Sequence, residues 1–258
     1  MKKSLQLILV LFICFSLGCD QDISVDRSTD ITNLLNDINI RVDDIKSKKS
    51  STLNSKTTLN PSNLSNPYNH YGEAFTALVN SLETETKINQ NEISDEEFVS
   101  YLQERQNLLP DNINLSSASI HSIIAYDDQY SAYSDEEMII DLYAKGEITN
   151  NVKLLLLDYV QNVSEVDQNT FIEISEIYEN SISSGGYLTS VEETQTLATI
   201  TLTKHNNVLI PESLISRRCA KKGIGGAILG TVICGGGCGI IGGIVGYFGC
   251  LIGRQRIY

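Results

Sequence analysis

Apolar residues recur at helical spacing along most of this chain. In the segment beginning STDITNLLND, residues Ile31, Leu34, Leu35, Ile38, Val42 and Ile45 fall on one stripe, with Ser28, Thr29 or Asp30 able to cap its start. From about Ser47 to Asn66, large apolar groups almost vanish from a stretch rich in Ser, Thr, Asn and Lys, which reads as a linker. Helical spacing resumes after NPYNHYG: Asn66 can cap, Pro67 suits a first turn, and Tyr71, Phe75, Leu78, Val79 and Leu82 share a face. Ser94 with Glu97, Ser134 with Glu137, and Ser190 with Glu193 each have the spacing of a capping box, in which hydroxyl and carboxylate satisfy each other's backbone amides. Further helices are expected at 117–126, 151–163 and 170–183, and Gly185-Gly186 breaks the chain before a last helix ending near His205. The Thr-rich TLATITLT alone hints at a period of two, and its place inside that last helix favours helix. The body therefore reads as all-α. The two Ser-Asp-Glu-Glu runs share only a cap and one apolar residue, so they read as independent helix starts.

Two segments depart from this amphipathic pattern. The first is MKKSLQLILVLFICFSLGC, with two lysines, an apolar run from Leu5 to Phe15 and small residues before Cys19. That run is short for a spanning helix, which needs about 20 apolar residues. The second lies between Gly223 and Gly253, holds no charge, and contains 13 of the chain's 18 glycines. A glycine costs roughly 1 kcal/mol relative to alanine in a water-exposed helix, so this density needs a compensating contact. Small residues four apart form a groove into which a second helix backbone can pack. Gly226/Gly230, Gly235/Gly239/Gly243, Gly242/Gly246 and Gly249/Gly253 all supply that spacing.

Three arrangements fit the tail. A single helix of 31 residues would be about 46 Å long, beyond the roughly 30 Å hydrocarbon core unless tilted. Alternatively Gly235-Gly236-Gly237 is a hinge between arms at 223–234 and 238–253, forming a hairpin; this is the preferred reading. The third is a glycine-rich element buried in a soluble protein. The hairpin suits the cysteines, because Cys234 mirrors Cys238 about Gly236 and Cys219 lies nearly opposite Cys250. Pairing 234–238 and 219–250 would staple tip and base, in a compartment that permits disulfides.

Charge narrows the functional classes. Net charge is −13, every acidic residue lies between Asp20 and Glu212, and basic residues cluster at the ends, including Arg217, Arg218, Lys221, Lys222, Arg254 and Arg256. An acidic body argues against nucleic acid as a partner. The three histidines, His70, His121 and His205, have no metal-binding spacing, and no cofactor or metal is expected. His70 reads as a partly exposed histidine near a helix start rather than as a functional polar group paired with Glu73, and His121 as a residue edging the core. Adjacent acids such as Glu96/Glu97, Asp127/Asp128, Asp135/Glu136/Glu137 and Glu192/Glu193 are explained by helix dipoles rather than by paired-carboxylate catalysis or calcium binding. No nucleophile elbow, phosphate loop or dinucleotide fingerprint is present, so no enzymatic role is expected.

Several resemblances give these features a setting. Leu17-Gly18-Cys19 resembles a bacterial lipobox, which implies removal of residues 1–18 and lipidation of Cys19, although Ser16 stands where a larger aliphatic is usual. The tail resembles the glycine-zipper segments of bacterial envelope lipoproteins, and equally the GxxxG-rich region of membrane-inserting bacteriocins. Asn66, Pro67, Tyr68 and Gly72 resemble the Asn-Pro-Tyr…Gly helix start of uncharacterised Gram-negative envelope proteins with glycine-rich C-termini, although Ala74-Phe75 stands where those carry a His-Asn pair. These likenesses imply a lipid anchor, helix and linker over 19–66, an acidic helical domain over 67–210, and a membrane-seeking tail over 217–258. The expected location is the envelope of a Gram-negative bacterium, the outer membrane ahead of the inner. The expected role is structural or interactive, with self-association through the tail, and the alternative is a bacteriocin-like permeabilising effector.

Overall fold

The computed structural model describes residues 27–49, 59–82, 94–110, 113, 116–209, 223–232 and 235–251. The signal segment, Cys19, Cys219, Cys234 and Gly253 lie outside the described residues. All regular structure among the described residues is helical. In chain order the helices are α1 (Arg27–Lys49), α2 (Asn69–Leu82), α3 (Asp95–Glu104), α4 (Ser117–Tyr130), α5 (Asp135–Ala144), α6 (Asn150–Val163), α7 (Gln168–Gly185), α8 (Ser190–Leu209), α9 (223–232) and α10 (Gly236–Leu251). A short 3-10 turn, Gln106–Leu108, follows α3.

The expected capping boxes at Ser94/Glu97 and Ser134/Glu137 form with both reciprocal bonds. The third is displaced by one residue. Thr189 and Glu192 exchange backbone and side-chain hydrogen bonds in place of Ser190 and Glu193. The choice is tertiary: Thr149 and Asn151 at the start of α6 also donate to the Glu192 carboxylate, at 2.6 and 3.3 Å, and fix that residue at the cap.

Helix α8 is the axis of the molecule. It packs on α2, α6, α7 and α10, and every residue from Gln195 to Asn206 is buried. The Thr-rich run is thus covered on all sides, which suits no amphipathic pattern and explains its ambiguous periodicity. On one side, α1 lies along α6 and α7. Its stripe of Ile31, Leu34, Ile38 and Val42 is buried with Leu155, Tyr159, Ile174, Tyr178 and Ile200. The sequence places this helix in a tether ahead of the folded domain, whereas here it is part of the fold. The linker also shrinks: α1 runs on to Lys49, and Asn63 and Asn66 are already tied to α7.

On the other side lies the glycine-rich tail. Helices α9 and α10 form a hairpin about Gly235, whose φ of +85° a side chain would strain. Gly236 and Gly237, expected to share the hinge, are instead the first residues of α10. The arms meet through backbone: a methyl group added at Gly226 would overlap the Gly242 carbonyl oxygen, one at Gly242 would overlap that of Gly226, and one at Gly230 would overlap that of Cys238. Gly239 lies against Thr231 and Leu202, and Gly243 against Phe75 and Ala227. The backbone nitrogen of Gly246 approaches Gly226. Gly249 falls within α10, and its surroundings lie outside the description.

The outer faces of this hairpin are covered by the acidic body. Ile240, Ile241, Ile244 and Phe248 share a core with Phe75, Leu78, Phe98, Ile120 and Leu202. Ile224, Ile228 and Leu229 share another with Met138, Leu142, Val152 and Leu156. The tail, delimited from the body in the sequence, is therefore one wall of the same interior. No helix among the described residues is long and apolar enough to cross a membrane. Cys238 is disulfide-bonded. Cys250, twelve residues further along the same helix, is about 18 Å away and too distant to be its partner, so that partner lies outside the described residues.

The hairpin contact sets a test. Gly226→Ala and Gly242→Ala are each expected to lower stability by about 3 kcal/mol, since a backbone carbonyl cannot turn aside as a side chain would. Gly225→Ala faces only Asp135 and Met138 side-chain ends at 3.2 and 3.7 Å and is expected to stay within about 1 kcal/mol of wild type. Urea denaturation of the three variants distinguishes these outcomes.

Candidate functional site

The densest chemistry lies between α2, α7 and α8, in residues that the periodicity gives no reason to select. Glu179 on α7 and Lys204 on α8 are both fully buried, and the lysine Nζ donates to the carboxylate at 2.5 Å. The remaining acceptor capacity of Glu179 is met by Asn66 Nδ2 at 2.9 Å and Asn63 Nδ2 at 2.8 Å. Asn66 also accepts from the Tyr68 backbone N–H at 2.9 Å, so one buried side chain closes the turn that leads into α2, which starts at Asn69 rather than at Pro67, and holds α7. Asn69 extends the cluster, accepting from the Asn63 backbone at 2.9 Å and donating to Glu73 at 2.8 Å. Burial pushes the nearby Glu176 carboxyl above its ordinary range, an effect that Lys204 opposes and that Glu179 and Glu173 reinforce.

Next to Lys204, His205 is 2 % exposed. Thr76 donates its hydroxyl hydrogen to the Gly72 carbonyl, at 3.0 Å, and lies 2.9 Å from His205 Nδ1. Nε2 of the imidazole is buried without a hydrogen-bond partner among the described residues. Burial, and then the Lys204 ammonium, push the His205 pKa down to about 4. Gly72 makes room for this ring, because a methyl group there would overlap Cδ2. Asn66, at one end of the Asn-Pro-Tyr…Gly pattern, thus reaches Lys204 of α8 through Glu179, and Gly72, at the other, lies directly against His205.

A second polar cluster fastens α1. Asn39 donates to Asp158 at 3.0 Å, and Asn162 donates to Asn39 at 2.8 Å and to Tyr178 at 2.9 Å. Tyr178 donates to Asp158, Lys46 to Asn162 at 2.8 Å, and Arg41 to Ser181 at 2.8 Å. Burial, followed by the hydrogen bond to Asp158, pushes the Tyr178 phenol above its usual range. At the third cluster, burial pushes Glu192 up, but hydrogen bonds from Thr149, Thr189 and Asn151 outweigh it and hold the carboxyl below its usual value.

The other two histidines lie outside these clusters. His70 is exposed, with Nδ1 3.0 Å from the Pro67 carbonyl, and Glu73 is bonded to Asn69 instead. His121, expected to edge the core, is exposed. Ile120, Ile123 and Ile124 form the buried face of α4, and His121 falls one residue round from it. No group of three or more His, Cys, Asp or Glu able to hold a metal occurs among the described residues. An open depression of about 300 Å³ runs past Ser190, Thr194, Gln195, Thr231 and Gly235, where the hairpin tip meets α8. Its lining includes none of Glu179, Lys204 and His205.

Chemically, the three polar clusters join helices. Each buried charge is matched to a partner, as an interior of low dielectric requires. Lys204→Met is expected to lower stability by about 3–5 kcal/mol at neutral pH, because it strands the Glu179 carboxylate. Lys204→Met with Glu179→Gln recovers much of that loss by denaturant titration. For His205 the folded pKa is depressed, so its stabilisation is complete above about 6.5 and is lost as pH falls through about 4. His205→Gln is therefore expected to lose less melting temperature than wild type between pH 7 and 4.5.

The chain matches no protein-family model, no curated protein and no solved structure.

Proposed function

We propose that the chain is an exported, lipid-anchored protein of a bacterial envelope, non-enzymatic, with a structural or interaction role. The anchor is Cys19, and the glycine-rich hairpin is a keystone of the helical body in this form. The anchor rests on Leu17-Gly18-Cys19, and the observation that carries the structural role is the use of the chain's polar chemistry. Glu179 with Lys204, Asp158 with Tyr178, and Glu192 with Thr149 each hold one helix to another.

One observation favours a second reading, a bacteriocin-like effector that permeabilises membranes. The hairpin is an uncharged unit, glycine-sealed along its own seam, and its apolar outer faces are sheltered by an acidic body. Such a unit would keep its internal contacts if it moved from the body to a bilayer.

Metabolic lipid labelling with fractionation tests the first reading. Wild type is expected to take label and sediment with membranes, and Cys19→Ala to lose both properties; an unlabelled wild type overturns the lipoprotein reading. The full-length protein is expected to leave dye-loaded phosphatidylethanolamine–phosphatidylglycerol vesicles sealed. Leakage that disappears with Gly239→Leu and Gly243→Leu would favour the effector instead.

A further inference from the structure

The docking of α1 changes the distance between the folded body and any lipid on Cys19. Read as sequence, some 45 residues separate that cysteine from the domain. In the structure the domain already begins in α1, where Ile31, Ile38 and Val42 are completely buried and the helix packs on α6 and α7. The contact is specific as well as apolar. Asn39, Arg41 and Lys46 reach Asp158, Ser181 and Asn162 respectively, across 116 to 140 residues of sequence. Only residues 20–26 remain between Cys19 and the first residue of α1. Fully extended, that stretch spans at most about 28 Å.

We propose that the body is held within about 28 Å of the membrane leaflet that takes the Cys19 lipid, with the bilayer surface itself as its neighbour. This rests on the lipoprotein reading above. The stretch between α1 and α2 then acts as a connection inside the body and adds nothing to its reach. A domain on such a tether can engage lipids and membrane-embedded partners of its own leaflet. It cannot sample the envelope beyond that reach of about 28 Å, as a long flexible arm would allow.

Two insertions into the full-length lipidated protein separate the possibilities. A 40-residue Gly/Ser spacer between Gln21 and Asp22 lengthens the tether, and the same spacer between Leu53 and Asn54 lengthens only the internal connection. Each protein is reconstituted in a supported phosphatidylethanolamine–phosphatidylglycerol bilayer, and the protein layer is located by neutron reflectometry. The first spacer is expected to raise the layer by roughly 20 Å, following random-coil dimensions. The second is expected to leave its height unchanged. Equal elevation by both spacers, or a wild-type layer centred well beyond the reach of residues 20–26, overturns the inference while leaving the lipoprotein reading intact. Absence of lipid on Cys19, read by mass spectrometry of the same samples, overturns both.

Discussion

Backbone contact between the two arms of the C-terminal hairpin is the constraint to which the rest of the packing conforms. Gly226 and Gly242 face each other with no room for a β-carbon, and Gly230 meets Cys238 in the same way. Arms this close form a thin two-helix wedge, and a thin wedge can be covered by helices on both faces. Leu202 of α8 and Phe75 of α2 reach α10, while Met138 and Leu142 of α5 belong to the core that receives α9. Bulkier residues at the seam would spread the arms and force these helices outward. The glycines cost helix propensity, and the apolar area buried around them offsets it.

The other half of the molecule solves a different problem. Helix α8 is enclosed on all sides, yet carries Lys204, His205 and several threonines. Charges in such a position are tolerated only when paired and hydrogen-bonded. Glu179 supplies the pair, and Asn63 and Asn66 complete it from the segment that leads into α2. One buried ion pair thereby sets the register of α7 against α8 and fixes where α2 begins. The Asn39–Asp158–Tyr178–Asn162 network performs the same service for α1. Apolar packing gives both contacts their area, and the polar groups select one alignment among the many that apolar stripes alone would accept.

Much of this was legible before the fold. The boxes at Ser94 and Ser134, the break at Gly186 and the apolar stripes of α1 and α2 follow from local spacing, and local spacing survives tertiary context. Residues that changed their meaning did so through distant partners. The cap of α8 moved to Thr189 because Thr149 and Asn151 take hold of Glu192. His121 fell outside the core because the face of α4 that docks is set by three isoleucines. Glu179 and Lys204 carry no local signature, since they are 25 residues apart on separate helices and meet only when α7 and α8 align.

By itself the sequence determined an all-helical body, the capping boxes that open α3 and α5, and the glycine spacing that lets two backbones touch. These depend on neighbours three or four residues away, which the chain specifies directly. Tertiary structure alone decided that the glycine hairpin is buried under an acidic body, that α1 belongs to the fold rather than to a tether, and that Glu179 and Lys204 form its buried pair. Small residues at a spacing of four permit close approach without naming what approaches, and an apolar stripe demands cover without naming what covers it. Only the complete packing, in which every buried charge must also find its partner, supplies those names.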